Sequence, residues 1–471
     1  MFHRISRLAG FVLLCAFALP LARTAHAVPA YARETGMACT SCHIGTDNVP
    51  NFTRIGRLFA MRSYNVPYIR EKMRYDGQAI EGNTQYGGDY LSLNWMDYFS
   101  ARFISELAQG GKAQNGETRD VTTRPLARMA MFYTGQITDW LGLWTEIGYL
   151  GNNALNSITQ GRQGPTGLNY FAFDEYRLSA SWEYGKNSFW GASLGNEHPN
   201  TVGQWVFPAP LPDFWGNGQG GTGKFKEIAT LSVHTMWNDR LWLQGAIVTG
   251  ADNNNWDDGS NQYANVAYDF FRHTSNDLWA IFEYYRGNDF PSTMSSYKDS
   301  FLCPQTCPPG VSDQNFSITN AAGEPIVNAP LEVVRKFNSY KIGLQWSAAD
   351  RGPHTWYSAV SLHNMSQDFV SGGDVEHTQA GAYLRYFYER TYGAEIYWRH
   401  DLKYEYTTPE RITRDTYTRD AFGITFLWNP AMNFSTHLSF SPRVQNIVFA
   451  DERQFYQGNG KSWAVGFEYN F

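Results

Sequence analysis

Five residues, Cys39-Thr40-Ser41-Cys42-His43, carry the most explicit chemistry in the chain. Two thiols in C-x-x-C spacing can each add to a vinyl group of one porphyrin, and the histidine that follows then stands beneath the iron as its first axial ligand. Other readings of such a string make demands of their own. A thioredoxin-like pair needs a surrounding βαβ pattern, and a zinc site needs a second pair of ligands close by. Neither accompanies these residues, so they read as the attachment site of one covalent haem c. Cys39 and Cys42 are the thioether positions and His43 is the proximal ligand. The segment is therefore expected to be a redox centre.

The chain ahead of the motif is consistent with that chemistry. Met1 to Ala27 has basic Arg4 and Arg7, an apolar run from Phe11 to Leu21 and a closing Ala25-His26-Ala27, which together form a secretory signal peptide. Haem is joined to such motifs after export in bacteria, so leader and motif support one another. Cys15 falls within the leader, and of the four cysteines beyond it two belong to the haem motif. The remaining pair, Cys303 and Cys307, sits in a turn-rich stretch and is expected to close a local disulfide in an oxidising compartment.

The body of the chain must house this haem. Aromatic residues make up 16% of the sequence and charged residues only 17%, with 43 glycines. Mean hydropathy is −0.44, and beyond the leader no apolar run reaches the roughly 18 residues a membrane helix needs. Abundant aromatics, glycine and polar residues without hydrophobic blocks suit a transmembrane β-barrel, in which lipid-facing apolar residues alternate with polar lumen-facing ones. The net charge of −6 argues against a nucleic-acid partner.

Period-2 alternation recurs from Leu91 onward. It is clearest in Trp463, Val465, Phe467, Tyr469 and Phe471, with Ser462, Ala464, Gly466, Glu468 and Asn470 on the other face. The same pattern marks Tyr176 to Tyr184, Val266 to Phe270, Tyr340 to Trp346 and Phe422 to Trp428. Short connections near Asp139, Gly185, Asn238, Ser275, Asp350, Thr391 and Pro430 alternate with long ones, as expected for tight periplasmic turns and longer outer loops. With a first strand from Leu91 to Glu106 and a last from Lys461, the count is about sixteen, and both chain ends fall on the periplasmic side. The expected fold class is thus all-β: an antiparallel outer-membrane barrel preceded by a small α-helical cytochrome segment lodged in or at its lumen. The expected divisions are a leader over 1–27, a haem segment over 28–75, a linker over 76–90 and a barrel over 91–471. A haem segment this short has little core of its own and needs shelter from the barrel.

The stretch Val28-Pro29-Ala30-Tyr31-Ala32-Arg33-Glu34-Thr35-Gly36 before the motif, Gly56-Arg57-Leu58-Phe59 after it, and the order cytochrome then barrel resemble the fused monohaem cytochrome-porins of iron-oxidising bacteria, the outer-membrane Fe(II) oxidases. Where that family tends to show lysine after the phenylalanine and glycine before a tyrosine, this chain has Ala60, and Ser63 before Tyr64. The resemblance implies an oxidoreductase that takes one electron from extracellular Fe(II) and hands it to a periplasmic cytochrome or other carrier. The implied partners are that donor, that carrier and outer-membrane lipid. Sixteen-stranded porins are often homotrimers. A wider electron conduit and a solute porin with a haem-bearing plug are the alternatives.

For the distal iron ligand, Met61 is the first candidate, since a His/Met pair raises the potential as oxidation of Fe(II) demands. Met73, His234, His273, His363 and His437 are its rivals, the four histidines being placed on the lumen side by strand phase. Asp252, Asp257 and Asp258 read as solvated turn chemistry, so no ligand for a metal substrate is assigned.

Overall fold

The computed structural model describes residues 31, 35, 42–44, 52–69, 99–113, 118–150, 171–185, 187–195, 230–248, 262–271, 276–288, 315–319, 325–330, 334–349, 353–369, 374–407, 413–415, 420–431, 434–444 and 460–470. The leader, Cys39, Met73, the linker, His273, Cys303 and Cys307 lie outside them.

One helix, α1 (Arg54–Met61), precedes the strands. These run in chain order as β1 (Phe99–Ala113), β2 (Thr118–Thr138), β3 (Leu141–Leu150), β4 (Phe171–Gly185), β5 (Ser188–Gly195), β6 (Thr230–Trp237), β7 (Leu241–Val248), β8 (Gln262–Asp269) and β9 (Asn276–Asn288). There follow β10 (Asn315–Thr319), β11 (Pro325–Pro330), β12 (Val334–Ala348), β13 (His354–Phe369), β14 (Asp374–Tyr388), β15 (Tyr392–Thr407), β16 (Thr413–Asp415), β17 (Asp420–Ala431), β18 (Phe434–Val444) and β19 (Gly460–Asn470).

Each long strand pairs antiparallel with its chain neighbours, β9 pairs with β12, and β19 returns to β1, closing a ring of sixteen strands. Two elements stand outside that ring: the β10–β11 hairpin and the three-residue β16, which pairs with the end of β15. Closure leaves no unpaired edge, which is what a sheet in hydrocarbon requires. A buried ion pair spans the seam, with Arg102 Nη2 3.1 Å from Glu468 Oε2.

At each site where the sequence predicts a short connection, one strand ends and its antiparallel neighbour begins within a few residues. Asn238 and Asp239 both hold left-handed backbone, φ 54° and 53°, the conformation of a two-residue hairpin turn. Both barrel ends lie on this side: Phe434, next to a short turn, pairs with Tyr469, and Phe99 pairs with Tyr133 near the β2–β3 turn. The first strand runs past the expected Glu106 to Ala113, because its partners on β2 and β19 extend beyond Glu106 and carry the pairing with them, while the expected start, residues 91–98, lies outside the described residues.

Alternation sorts the two faces. Tyr340, Ile342 and Leu344 are exposed, while Ser339, Lys341, Gln345 and Ser347 between and beside them are buried. Exposed Trp140, Tyr184, Trp190, Trp237, Tyr388, Tyr392 and Trp428 gather next to the short turns, forming an aromatic girdle at one membrane interface. An outward apolar band with such a girdle places the barrel in the outer membrane, short turns and both barrel ends to the periplasm. Among the described residues no helix is long and apolar enough to cross a membrane, so the strands do the crossing. Ile342→Arg should therefore cost about 2–4 kcal/mol if this position sits near the bilayer midplane. Chemical unfolding in liposomes measures that loss, and Lys341→Ala at the lumen-facing neighbour would not reproduce its dependence on lipid.

Candidate functional site: a plug that presents Cys42 and His43

Residues 52–69 lie inside the barrel at its short-turn end. The sequence starts α1 with Thr53, whose hydroxyl accepts the Gly56 N–H at 3.2 Å, a standard N-cap. The helix stops at a left-handed pair, Ser63 and Tyr64 with φ 55° and 60°, and the Tyr64 N–H returns 2.9 Å to the Phe59 carbonyl. That six-to-one bond is the usual helix C-terminal closure, normally built on glycine. Here serine occupies the left-handed position, and its hydroxyl lies 2.8 Å from Ser179 Oγ on the wall.

Alternating basic and apolar residues on α1 could read as an amphipathic surface helix. In the barrel every residue of α1 is buried, because the charged side meets the polar lumen instead of water. Arg57 Nη1 donates to Asp277 Oδ2 at 2.5 Å; this carboxylate also accepts Trp279 Nε1 at 2.9 Å and the Ser347 hydroxyl. Arg54 pairs with Asp269 at 3.3 Å. Arg62 donates to Ser181, stacks 5.3 Å from the Phe189 ring, and pairs at 3.3 Å with Glu183, whose exposure weakens that pair by screening. Asn65 donates to the Asp139 carbonyl and Val66 N–H donates 2.8 Å to Gln136. Tyr31 stacks on Tyr64 at 5.0 Å and on Trp144 at 6.2 Å, tying the segment ahead of the motif to β3. A Cβ at Gly142 would stand 2.1 Å from the Ser63 carbonyl, so the wall there must be glycine for the plug to seat.

Tyr68 closes the last turn of the plug, donating 2.8 Å to Asp239 Oδ1. Burial first, then the Asp239 carboxylate, raises this phenol well above its ordinary range. The sign follows directly: the folded state holds the proton, so this anchor is fully present below the ordinary tyrosine pKa near 10 and is lost as pH climbs through and beyond it. Protease release of the plug should accelerate above about pH 10, and in Tyr68→Phe this component of the pH dependence should vanish.

Cys42 and His43 are fixed to this helix start through the backbone. The Cys42 carbonyl accepts the Thr53 N–H at 2.9 Å, and a Cβ on Gly56 would lie 2.2 Å from that carbonyl oxygen. His43 forms an isolated bridge with Phe52, their rings 4.9 Å apart. Residues 53–66 are all buried, whereas Cys42, His43 and Phe52 keep part of their surface open. A thiol and an imidazole in adjacent positions, each partly exposed, are the groups a covalent haem would use. Cys42 would carry the second thioether and His43 the proximal bond to iron.

Met61 is buried at the far end of α1. At about 100° per residue it projects roughly 140° round the helix from Gly56, the residue that meets Cys42. His234, His363 and His437 are buried on the lumen side, as strand phase predicts, and each is engaged by the wall. His234 stacks 4.8 Å from Trp242, His363 lies 2.6 Å from Ser339 Oγ, and His437 lies over Gly466. Among the described residues no three of His, Cys, Asp and Glu cluster as a metal site. Sequence reasoning missed the wall residues that lock the plug: Asp239, Asp269 and Asp277. Their signal was position, since each sits at a short turn or beside one, where turn chemistry alone accounts for aspartate.

No family model matches the chain, and no curated protein matches it. Solved structures do. OmpT of Vibrio cholerae is similar at 10% identity over 79% of this chain and 96% of that one, TM-score 0.43. An anion-selective porin from Comamonas acidovorans is similar at 11% identity over 79% and 98%, TM-score 0.44. OmpF of Salmonella typhi, complexed with daunomycin, is similar at 9% identity over 79% and 97%, TM-score 0.43. At such identities the likeness concerns fold alone, and the strand count and closure stand on this chain's own ladders.

Proposed function

We propose that this porin-like outer-membrane barrel is an electron conduit: a covalent haem on Cys39 and Cys42, with His43 as proximal ligand, accepts electrons from an extracellular donor and passes them to a periplasmic carrier. The observation that carries the reading is the plug. A pore for solutes needs a water path, whereas here a segment bearing a haem-attachment motif is bolted across the periplasmic mouth by buried Arg54–Asp269 and Arg57–Asp277 pairs. A haem in that position spares the metal donor a crossing that only its electron needs to make.

When bound, the haem supplies one-electron redox chemistry. The chain's own residues do the rest: α1 fixes His43 and Cys42, the wall carboxylates fix α1, and the short-turn face opens to the periplasm. Fe(II) is the donor that the resemblance favours, and outer-sphere transfer from it requires no acid, base or nucleophile. Mixing purified protein, haem oxidised, with Fe(II) in a stopped-flow spectrometer tests this. Appearance of the ferrous α and Soret bands within seconds is expected, and a haem that stays ferric for minutes overturns it.

A solute porin with a haem-bearing plug is the second reading, favoured by the width of a sixteen-strand barrel. Single-channel conductance separates the two, since the conduit reading expects a small, blocked conductance.

A further inference from the structure

On the arc formed by β9 and β12, the outward face is apolar from the short turn upward and then changes abruptly. The lipid-facing residues of β9 run Leu278, Ala280, Phe282 and Tyr284, and the next in phase is Arg286. Those of β12 run Trp346, Leu344, Ile342 and Tyr340, followed by Asn338 and Lys336. Both basic side chains are exposed. Arg286 stands ten residues along β9 from Asn276 at its turn end. A strand that rises about 3.4 Å per residue at a tilt near 40° climbs roughly 25 Å over that length, which is the height of the apolar band of an outer-membrane barrel. Arg286 therefore sits at the outer edge of the hydrocarbon, with Lys336 just beyond it. Charge on the lipid face is costly at the midplane and nearly free at this level.

The two bases are neighbours on the sheet. Asn338 pairs directly with Arg286, and Lys336 follows it two residues on along β12, which puts Lys336 about 7–8 Å diagonally from Arg286 on the same face. Exposed Gln262 lies opposite Arg286 on β8. Among the described residues neither base has an acidic side chain in salt-bridge contact. Lys403, a lipid-facing base on β15, is in a different position, since Glu376 already neutralises it. The exposed carboxylate of Asp368 stands opposite Lys336 on β13, two strands away from Arg286.

We propose that Arg286 and Lys336 form a docking site on the outside of the barrel for a phosphorylated lipid of the outer leaflet. The guanidinium of Arg286 receives the phosphate through its planar fork and the ammonium of Lys336 adds a second positive charge. The acyl chains of the same lipid lie on the exposed apolar slope below, formed by Phe282, Tyr340, Ile342 and Leu344. That slope is the reason the occupant is a lipid: a free phosphate ion would meet the two bases but gain nothing from the apolar surface beneath them. The site is independent of the haem, and stands or falls without it.

The test titrates purified full-length protein in detergent with bisphosphorylated lipid A and with its dephosphorylated form, and reads bound lipid by native mass spectrometry. Wild type should hold the phosphorylated lipid about tenfold more tightly. Arg286→Gln and Lys336→Gln should each weaken that binding about fivefold, the worth of one basic side chain at an anionic lipid surface. Lys403→Gln should leave it unchanged, and Asp368→Asn should tighten it by removing a nearby negative charge. All four side chains face outward, and heat-modifiable mobility on electrophoresis verifies that each variant keeps a folded barrel. Equal binding of the two lipids, or Arg286→Gln and Lys336→Gln proteins that bind as wild type does, overturns the site. A loss in Lys403→Gln as large as that in Arg286→Gln also overturns it, by reducing the effect to general surface charge. Inorganic phosphate that displaces the lipid at equal concentration assigns the two bases to a free anion and overturns the lipid as occupant.

Discussion

Asp277→Ala is expected to release the plug while leaving the barrel closed. Asp277 is fully buried and receives Arg57, Trp279 and Ser347 at once. Removing it leaves the Arg57 guanidinium buried at 1% exposure without its counter-charge. Breaking such a pair by deleting one partner costs about 3–5 kcal/mol, because the surviving charge has no solvent to return to. The plug's apolar residues pack in a core shared with the wall, so that cost falls on its seating against β9. The open state of the plug should gain roughly a hundredfold or more in population. Two measurements check it: conductance in planar bilayers should rise, and trypsin should cut near Arg54 to Arg62. The barrel should keep its heat-modifiable mobility on electrophoresis, since the strand ladders are untouched. Asp277→Asn, which retains the acceptor but not the charge, should be intermediate.

Cys42→Ala and His43→Ala should separate attachment from ligation. With Cys42 removed, one of the two thioether bonds cannot form, and covalent haem should fall severalfold or vanish on a haem-stained gel. His43→Ala should leave whatever haem is attached without its proximal nitrogen, losing the low-spin spectrum and at least tenfold in the rate of reduction by Fe(II). Neither residue contributes to a barrel strand, so expression and barrel folding should match the wild type. A His43→Ala protein with an unchanged spectrum would mean that another residue holds the iron.

Much of this was legible in the residues. Strand phase placed His363 and His437 inward and Ile342 and Leu344 outward, because a period of two on a sheet with one wet and one oily face admits only one register. The short turns were readable from Asn238 and its neighbours for the same reason. The far end of the first strand was placed short at Glu106, because the partners on β2 and β19 that carry its pairing on to Ala113 are distant in sequence. The plug's fastening was hidden in a different way. Arg54, Arg57 and Arg62 at helical spacing are a solvated face on an isolated helix, and only three-dimensional closure brings Asp269 and Asp277, more than two hundred residues away, against them. Ser63 in a left-handed turn likewise reads as ordinary sequence until Gly142 and Ser179 are seen to receive it.

The central claim is that electrons cross this barrel while metal ions stay out. It is tested most directly in proteoliposomes that enclose ferricytochrome c together with a ferrous chelator, with Fe(II) added outside. The conduit reading predicts that the enclosed cytochrome is reduced while the chelator stays colourless, and that the reduction vanishes in Cys39→Ala/Cys42→Ala. A chelator that colours, or a cytochrome that stays oxidised beside fully haem-loaded wild-type protein, would contradict it.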